Sequence, residues 1–304
     1  MIKIIDKNVL SSDKIHMLKG KLYLPEGKAK GFFHVVHGMT EHIARYDAFM
    51  RQLAEAGYIT FGYDHLGHGY TARDESELGF IAHKDGWERL VDDVFIYGNS
   101  IRKAMAEDLP FILMGHSMGS FIVRLTAVKY NHYDKLIVMG TGGPNPAAGA
   151  GVLVAGMLKK MKGEHGYSHL VYKLAFGTYN KRFADENDTY AWLSVDRDNR
   201  DRYRADPFCT YQFTVSAMQD LIRLNKSSNE KLWFRSVDRD KPVLLVAGSE
   251  DPVGDYGKGV TKVYDMLKAA GVNVQMKLYE GYRHEILNEA CKDEVVADIK
   301  AFIA

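Results

Sequence analysis

Residues 111–119 read Phe111-Ile112-Leu113-Met114-Gly115-His116-Ser117-Met118-Gly119, and the fold follows from how that stretch must bend. The run Phe111–Met114 is short and apolar and stops at a glycine, as a strand buried on both faces does. Past Ser117, apolar residues return at Phe121, Leu125 and Val128, the spacing of a helix face. A strand, one sharp turn and a helix lift a serine hydroxyl above the end of a sheet, and Gly-x-Ser-x-Gly marks that turn. Glycine is required on both sides, because a side chain there would collide with the neighbouring strand or helix. The plainer alternative is a serine that only caps an ordinary helix.

Working outward, the same alternation of short apolar runs and amphipathic stretches continues. Phe32–Val36, Tyr58–Tyr63, Pro110–Met114, Leu136–Met139, Val243–Ala247 and Val274–Leu278 read as buried strands. A further antiparallel pair is expected at one edge, around Asp13–Leu24. Leu90, Val94, Tyr97, Ile101 and Met105 mark one helix face, as do Phe49, Met50, Leu53 and Ala54, and at the C-terminus Val295, Ile299 and Phe302. This pattern predicts an α/β fold, a mostly parallel sheet flanked by helices. From Gly142 to about Arg239 the rhythm breaks and no convincing strand appears. The expected division is a core of residues 1–142 and 240–304 with a helical cap, 143–239, inserted between two strands. The competing description of that stretch is an irregular second domain.

Composition narrows the functional classes. The 304 residues carry 40 Lys+Arg against 39 Asp+Glu, a net charge of +1, with 46% hydrophobic and 26% charged residues. That is an ordinary globular balance, and it lacks the clustered positive excess of a nucleic-acid binder. Cys209 and Cys291 form neither a disulfide framework nor a metal spacing, so a reducing, cytoplasmic setting is expected. The most apolar run, Ala147–Leu158, falls short of the ~18 residues that argue for a membrane span.

A serine hydroxyl attacks a carbonyl only when a base takes its proton and an acid holds that base in one tautomer. On this architecture the partners follow the serine in the order acid, then histidine, on loops after later strands. After Val243–Ala247 comes Gly248-Ser249-Glu250-Asp251-Pro252, and after Val274–Leu278 comes Glu280-Gly281-Tyr282-Arg283-His284-Glu285. Asp251 and His284 are therefore the candidate acid and base, with Glu250 and Asp255 as rival acids. Two backbone amides must face the developing oxyanion. Met118, directly after the serine, offers one, and Met39 offers the other, in the loop His37-Gly38-Met39-Thr40-Glu41-His42 after the strand Phe32–Val36. His37, His65 and His116 are candidates to brace these loops.

Two other patterns compete. Gly67-His68-Gly69-Tyr70-Thr71-Ala72 matches a dinucleotide-binding turn but is separated from its strand by Asp64-His65-Leu66. His37 with Glu41-His42 misses the His-x-x-Glu-His zinc spacing by one residue, and His65-x-x-His68 lacks a helix and a third ligand. No metal and no organic cofactor is expected.

The chain resembles the α/β-hydrolase superfamily, and within it the monoacylglycerol lipase and lysophospholipase-like group. The resemblance is carried by His37-Gly38-x-x-Glu41-His42-x-x-Arg45-Tyr46, Asp64-His65-x-Gly67-His68-Gly69, Gly115–Gly119, Gly248–Asp251 and Gly281–Glu285. It implies Ser117 as nucleophile, Asp251 as acid, His284 as base, and Met39 and Met118 as oxyanion donors. Many relatives carry glycine where Thr40 stands, and the cap's sequence resembles none we can place. The expected activity is serine-dependent hydrolysis of a small, lipidic, single-chain ester, with transient membrane-surface contact through the cap. Two alternatives stand beside it. One is a serine aminopeptidase or amidase, with Asp185, Glu186 and Asp188 supplying an acidic subsite for the substrate amine. The other is a non-catalytic ligand-binding protein on the same fold.

Overall fold

In the computed structural model, which describes residues 2–304, the chain forms eight strands. They are β1 (Lys3–Leu10), β2 (Met17–Leu24), β3 (Gly31–Val36), β4 (Tyr58–Tyr63), β5 (Phe111–His116), β6 (Lys135–Met139), β7 (Val243–Gly248) and β8 (Val274–Tyr279). They join one sheet in the order β1-β2-β4-β3-β5-β6-β7-β8, antiparallel at β1–β2 and β2–β4 and parallel elsewhere. The edge pair spans Lys3–Leu24, with its turn where one of its strands was expected. Lys3–Leu10 is a half-exposed edge strand with charges at Lys3, Asp6 and Lys7, so it lacks the apolar run that marks the inner strands.

Alternate residues of the inner strands feed two apolar layers. Phe33, Val35, Ile112, Met114, Leu244 and Val246 pack against α1 (Asp47–Glu55) and, near the C-terminus, the helix Lys292–Ile303. Phe32, Val36, Leu113, Val138 and Leu245 face the other way, toward α2 (Gly86–Met105) and α3 (Met118–Tyr130). The helix face expected from Phe121, Leu125 and Val128 is only partly the buried one. Ile122, Val123, Thr126 and Ala127 are buried, whereas Leu125 and Val128 are half-buried. The cause is that α3 is enclosed on several sides, so its sequence carries little amphipathic contrast.

Between β6 and β7 lie α4 (Ala148–Lys162), α5 (His169–Phe176), α6 (Arg197–Ala205), α7 (Val215–Ser228) and α8 (Lys231–Ser236). No strand occurs there among the described residues. Its last third is continuous with the core: Met218, Leu224, Trp233 and Phe234 join the same apolar layer as Phe121 and Ile122. Arg124 of α3 fastens both ends of the insertion. Its guanidinium is fully buried, and burial pushes its pKa down to about 9. It donates to Thr141 Oγ1 (3.3 Å) at the entry and to the Ser228 carbonyl and Asn229 Oδ1 (3.0 Å) at the exit, and it stacks 4.3 Å from the Trp233 ring. After β7 the chain closes with α9 (Lys258–Ala269), β8 and α10 (Lys292–Ile303).

Candidate active site

β3 lies between β4 and β5, so the direction of winding reverses there and a crevice opens at the ends of the parallel strands. Val36 pairs with Gly115, which makes the loop after β3 and the turn after β5 leave the sheet side by side. Ser117 forms that turn with φ 55° and ψ −121°, a backbone conformation that a non-glycine residue rarely adopts. The turn is held by Ser117 N–H on the Met139 carbonyl (3.0 Å) and Ser120 N–H on the Ser117 carbonyl (2.9 Å). A methyl group on Gly119 would run into the carbonyl of Val36, and one on Gly115 into the carbonyl of Gly119. Both glycines are therefore demanded by the approach of α3 to the sheet.

β7 and β8 deliver the other two residues. Asp251 is fully buried, and its Oδ2 accepts the Nδ1–H of His284 at 2.9 Å while its Oδ1 accepts the Val253 N–H, also at 2.9 Å. That partner fixes the tautomer of His284 and leaves Nε2 with a free lone pair. Ser117 and His284 line one cavity, and no hydrogen bond joins them in this conformation. The rival acids are elsewhere engaged or exposed: Glu250 pairs with Arg182 (3.2 Å), and Asp255 is exposed in a left-handed turn with φ 49°.

The amides of Met39 and Met118 donate to no other protein group among the described residues, and both residues line the same cavity. Met118 opens α3, so its N–H is one of those a helix leaves unpaired. The loop carrying Met39 rests on a histidine cluster. His37 donates from Nδ1 to the Gly38 carbonyl (2.8 Å) and accepts the His65 N–H at Nε2 (3.0 Å), and His65 donates from Nε2 back to the His37 carbonyl (3.1 Å). Burial holds His65 down at about 3 and His68 at about 4, so these rings are neutral braces. Thr40 adopts φ 49° without being glycine, and its hydroxyl and carbonyl are tied to the hydroxyl of Tyr203 at 2.9 and 2.8 Å.

A buried charged network lies under both loops, and of its members only His116 was expected to have a role, that of a brace. Glu41 Oε1 accepts from the Gly38 N–H (2.5 Å), Tyr46 OH (2.9 Å) and His116 Nδ1 (3.1 Å), and Oε2 meets Arg45 at 3.1 Å. Arg45 forks onto Glu285 at 2.5 and 2.7 Å. Burial pushes the Glu41 carboxyl up, but His116 and Arg45 hold it well below its usual range. The available signal was the i, i+4 spacing of Glu41 and Arg45.

The two neighbours of His284 grip the insertion. Arg283 donates to the carbonyls of Ala191 (2.6 Å) and Ser194 (3.3 Å), pairs with Glu186 and lies 3.8 Å from the Phe183 ring. Glu285 takes Asn199 Nδ2 at 2.7 Å, and its N–H donates to the Leu193 carbonyl at 3.0 Å. Trp192, between these anchors, packs its ring 5.2 Å from that of His284.

The cavity has a volume of about 880 Å³ and is roofed by the insertion, with Ala148, Gly151 and Val154 of α4 and Ala175 and Phe176 of α5 in its wall. The Ala147–Leu158 stretch thus has two faces, since Leu153 and Met157, and Met161 beyond it, are 70%, 58% and 80% exposed on the outside. The acids proposed for an amine subsite do not line the cavity. Glu186 and Asp188 are paired with Arg200 and Arg204 (2.6 and 2.7 Å), and Asp185 is exposed.

The Gly67–Ala72 turn is closed to a dinucleotide. A side chain at Gly67 would strike Phe80, one at Gly69 would strike Asp64, and only a single helical turn follows. Among the described residues one group, His42, Asp206 and Cys209, brings three possible metal ligands within 4.8 Å of one another. His42 Nε2 is already occupied by Asp206 at 2.8 Å, and the nearby Arg45 guanidinium repels a cation.

Strand order, the turn at Ser117 and the His284–Asp251 pair at the strand ends define an α/β-hydrolase. The family model described as serine aminopeptidase, S33, matches residues 27–291, and the chain belongs to that family. It is 27% identical to the monoacylglycerol lipase of Mycolicibacterium smegmatis over 93% of this chain and 91% of that protein. Identity to the human monoglyceride lipase is also 27%, over 88% and 80% of the two chains. The crystal structure of a thermostable carboxyl esterase from Bacillus coagulans, in complex with glycerol, superposes with a TM-score of 0.92 at 30% identity, covering 99% of this chain and 97% of that one.

Proposed function

We propose that this enzyme hydrolyses carboxylic esters of a single lipidic chain, of the monoacylglycerol or lysophospholipid kind, through an acyl-enzyme. The observation that carries the proposal is that Ser117 and the Asp251-held ring of His284 open on one cavity beside two unpaired amides. Ser117 attacks the acyl carbonyl, His284 Nε2 takes its proton and passes it to the leaving alcohol, and Asp251 steadies the imidazolium. The Met39 and Met118 amides receive the oxyanion, and water activated by His284 then frees the acid. Residues 143–239 act as the cap. A cavity of about 880 Å³ with apolar walls from α4 and α5 suits an acyl chain, and the curated relatives named above supply the substrate class.

The family description favours a peptidase as the second substrate class, and one assay separates the two. Purified protein is expected to release fatty acid from a long-chain monoacylglycerol at least ~10²-fold faster, by kcat/KM, than it releases nitroaniline from aminoacyl-nitroanilides. The reverse order would make the amidase description the right one.

The outside of the cap supports contact with a lipid surface. Leu153, Met157, Met161, Leu170 and Leu174 are exposed next to Lys160, Lys162 and Lys173, and no helix among the described residues is long and apolar enough to cross a membrane. The protein is expected to float with anionic phospholipid vesicles at low salt and to lose that binding on Met157→Asp with Met161→Asp. Unchanged flotation of the double variant would remove the cap from the contact.

A further inference from the structure

His116 stands between the oxyanion loop and the loop of His284, and three oxygens face its two ring nitrogens. Nε2 faces the backbone carbonyl of His284 at 3.2 Å, an atom that only accepts. Nδ1 faces Glu41 Oε1 at 3.1 Å and the oxygen of Tyr46 at 2.8 Å, and the Tyr46 hydroxyl, 2.9 Å from Glu41 Oε1, can give its proton to that carboxylate. A neutral imidazole has one N–H and would leave a lone pair against one of these acceptors. We infer that His116 is a buried imidazolium that clamps the His284 backbone to Glu41, and through Glu41 to the Gly38 amide beside the oxyanion donor Met39. This deepens the ester-hydrolase proposal, on which it rests: His116 is a positioning residue that keeps the base and one oxyanion amide in register.

The surroundings agree with a charged ring. Glu41, Arg45 and Tyr46 face it from the β3 loop, and Glu285 and the His284 ring face it from the β8 loop. Gly140 closes the β6 side, where a methyl group would stand 3.2 Å from ring atoms of both His116 and His284. Burial disfavours the charge, but the hydrogen bond and charge of Glu41, with Glu285 and the His284 carbonyl, raise the His116 pKa above its ordinary value. The His116 ring lies 4.7 Å from that of His284, so a displaced His116 releases the base directly.

The test is a ¹⁵N-histidine spectrum of the intact protein at pH 8, with the His116 signals assigned by their absence in His116→Gln. Two protonated ring nitrogens are expected, and one unprotonated nitrogen would overturn the inference. On a soluble ester, His116→Leu is expected to lower kcat roughly ten- to a hundredfold with KM within about twofold, the size of a catalytic group held slightly out of place. His116→Gln, which keeps a donor, should recover part of that loss. Unchanged kcat in the Leu variant, or a loss confined to KM, would overturn the positioning role. If the Leu variant does not fold, the spectrum and the Gln variant decide. The spectrum requires no substrate, so its outcome is distinct from any failure of the ester-hydrolase proposal.

Discussion

Ser117→Ala is expected to lower ester turnover by at least ~10³-fold, a barrier increase of about 4 kcal/mol, with KM little changed. The substitution removes one oxygen from a residue whose neighbours, not its side chain, shape the turn. Gly115 and Gly119 allow the close approach of α3, and the Ser117 N–H holds the Met139 carbonyl. The variant should therefore fold and keep its cavity, and what remains of its rate should come from binding and the Met39 and Met118 amides. The same variant should no longer be labelled by a fluorophosphonate. Wild-type turnover in Ser117→Ala would end the nucleophile assignment.

Asp251→Asn should be comparably damaging, about 10⁴-fold in kcat, for a reason visible in its second oxygen. Oδ1 accepts the Val253 N–H, so an asparagine that keeps this bond turns its amide nitrogen toward His284 Nδ1. The ring is then driven into the tautomer with its proton on Nε2, where no lone pair faces Ser117. Glu250→Gln and Asp255→Asn are the controls, expected within about threefold of wild type because neither carboxylate reaches the ring. A large loss in either control, with Asp251→Asn mild, would transfer the acid role.

The legible features were those with strong local signals. Phe32–Val36, Tyr58–Tyr63 and Val243–Ala247 are buried on both faces, and their apolar runs announce strands almost residue for residue. Ser117 and Asp251 could be singled out because each follows such a run. His284 follows β8, which was expected to be buried but is a half-exposed edge strand, marked only by its alternating Val274, Met276 and Leu278. Lys3–Leu10 was missed as a strand because an edge position permits charge. Helix α9 was left unread although Val260, Val263 and Leu267 mark its buried face. The ion-pair network of Glu41, Arg45 and Glu285 around His116 was illegible for a different reason. Arg45 and Glu285 alone lie 240 positions apart, and the members meet only once β3, β5 and β8 stand in one sheet.

Arg283 and Glu285 bind the roof of the cavity on either side of His284, and this limits how such an enzyme can change its diet. Transplanting the whole of 143–239 from a relative would discard the carbonyls of Ala191 and Ser194 and the Asn199 amide, and with them the footing of the proposed general base. The portion free to vary is the α4–α5 arch, which lines the cavity, meets solvent and carries none of those anchors. New specificities are thus most accessible through short exchanges within 148–176, and chimaeras that reach past Phe183 should bind their new ligand yet turn it over slowly.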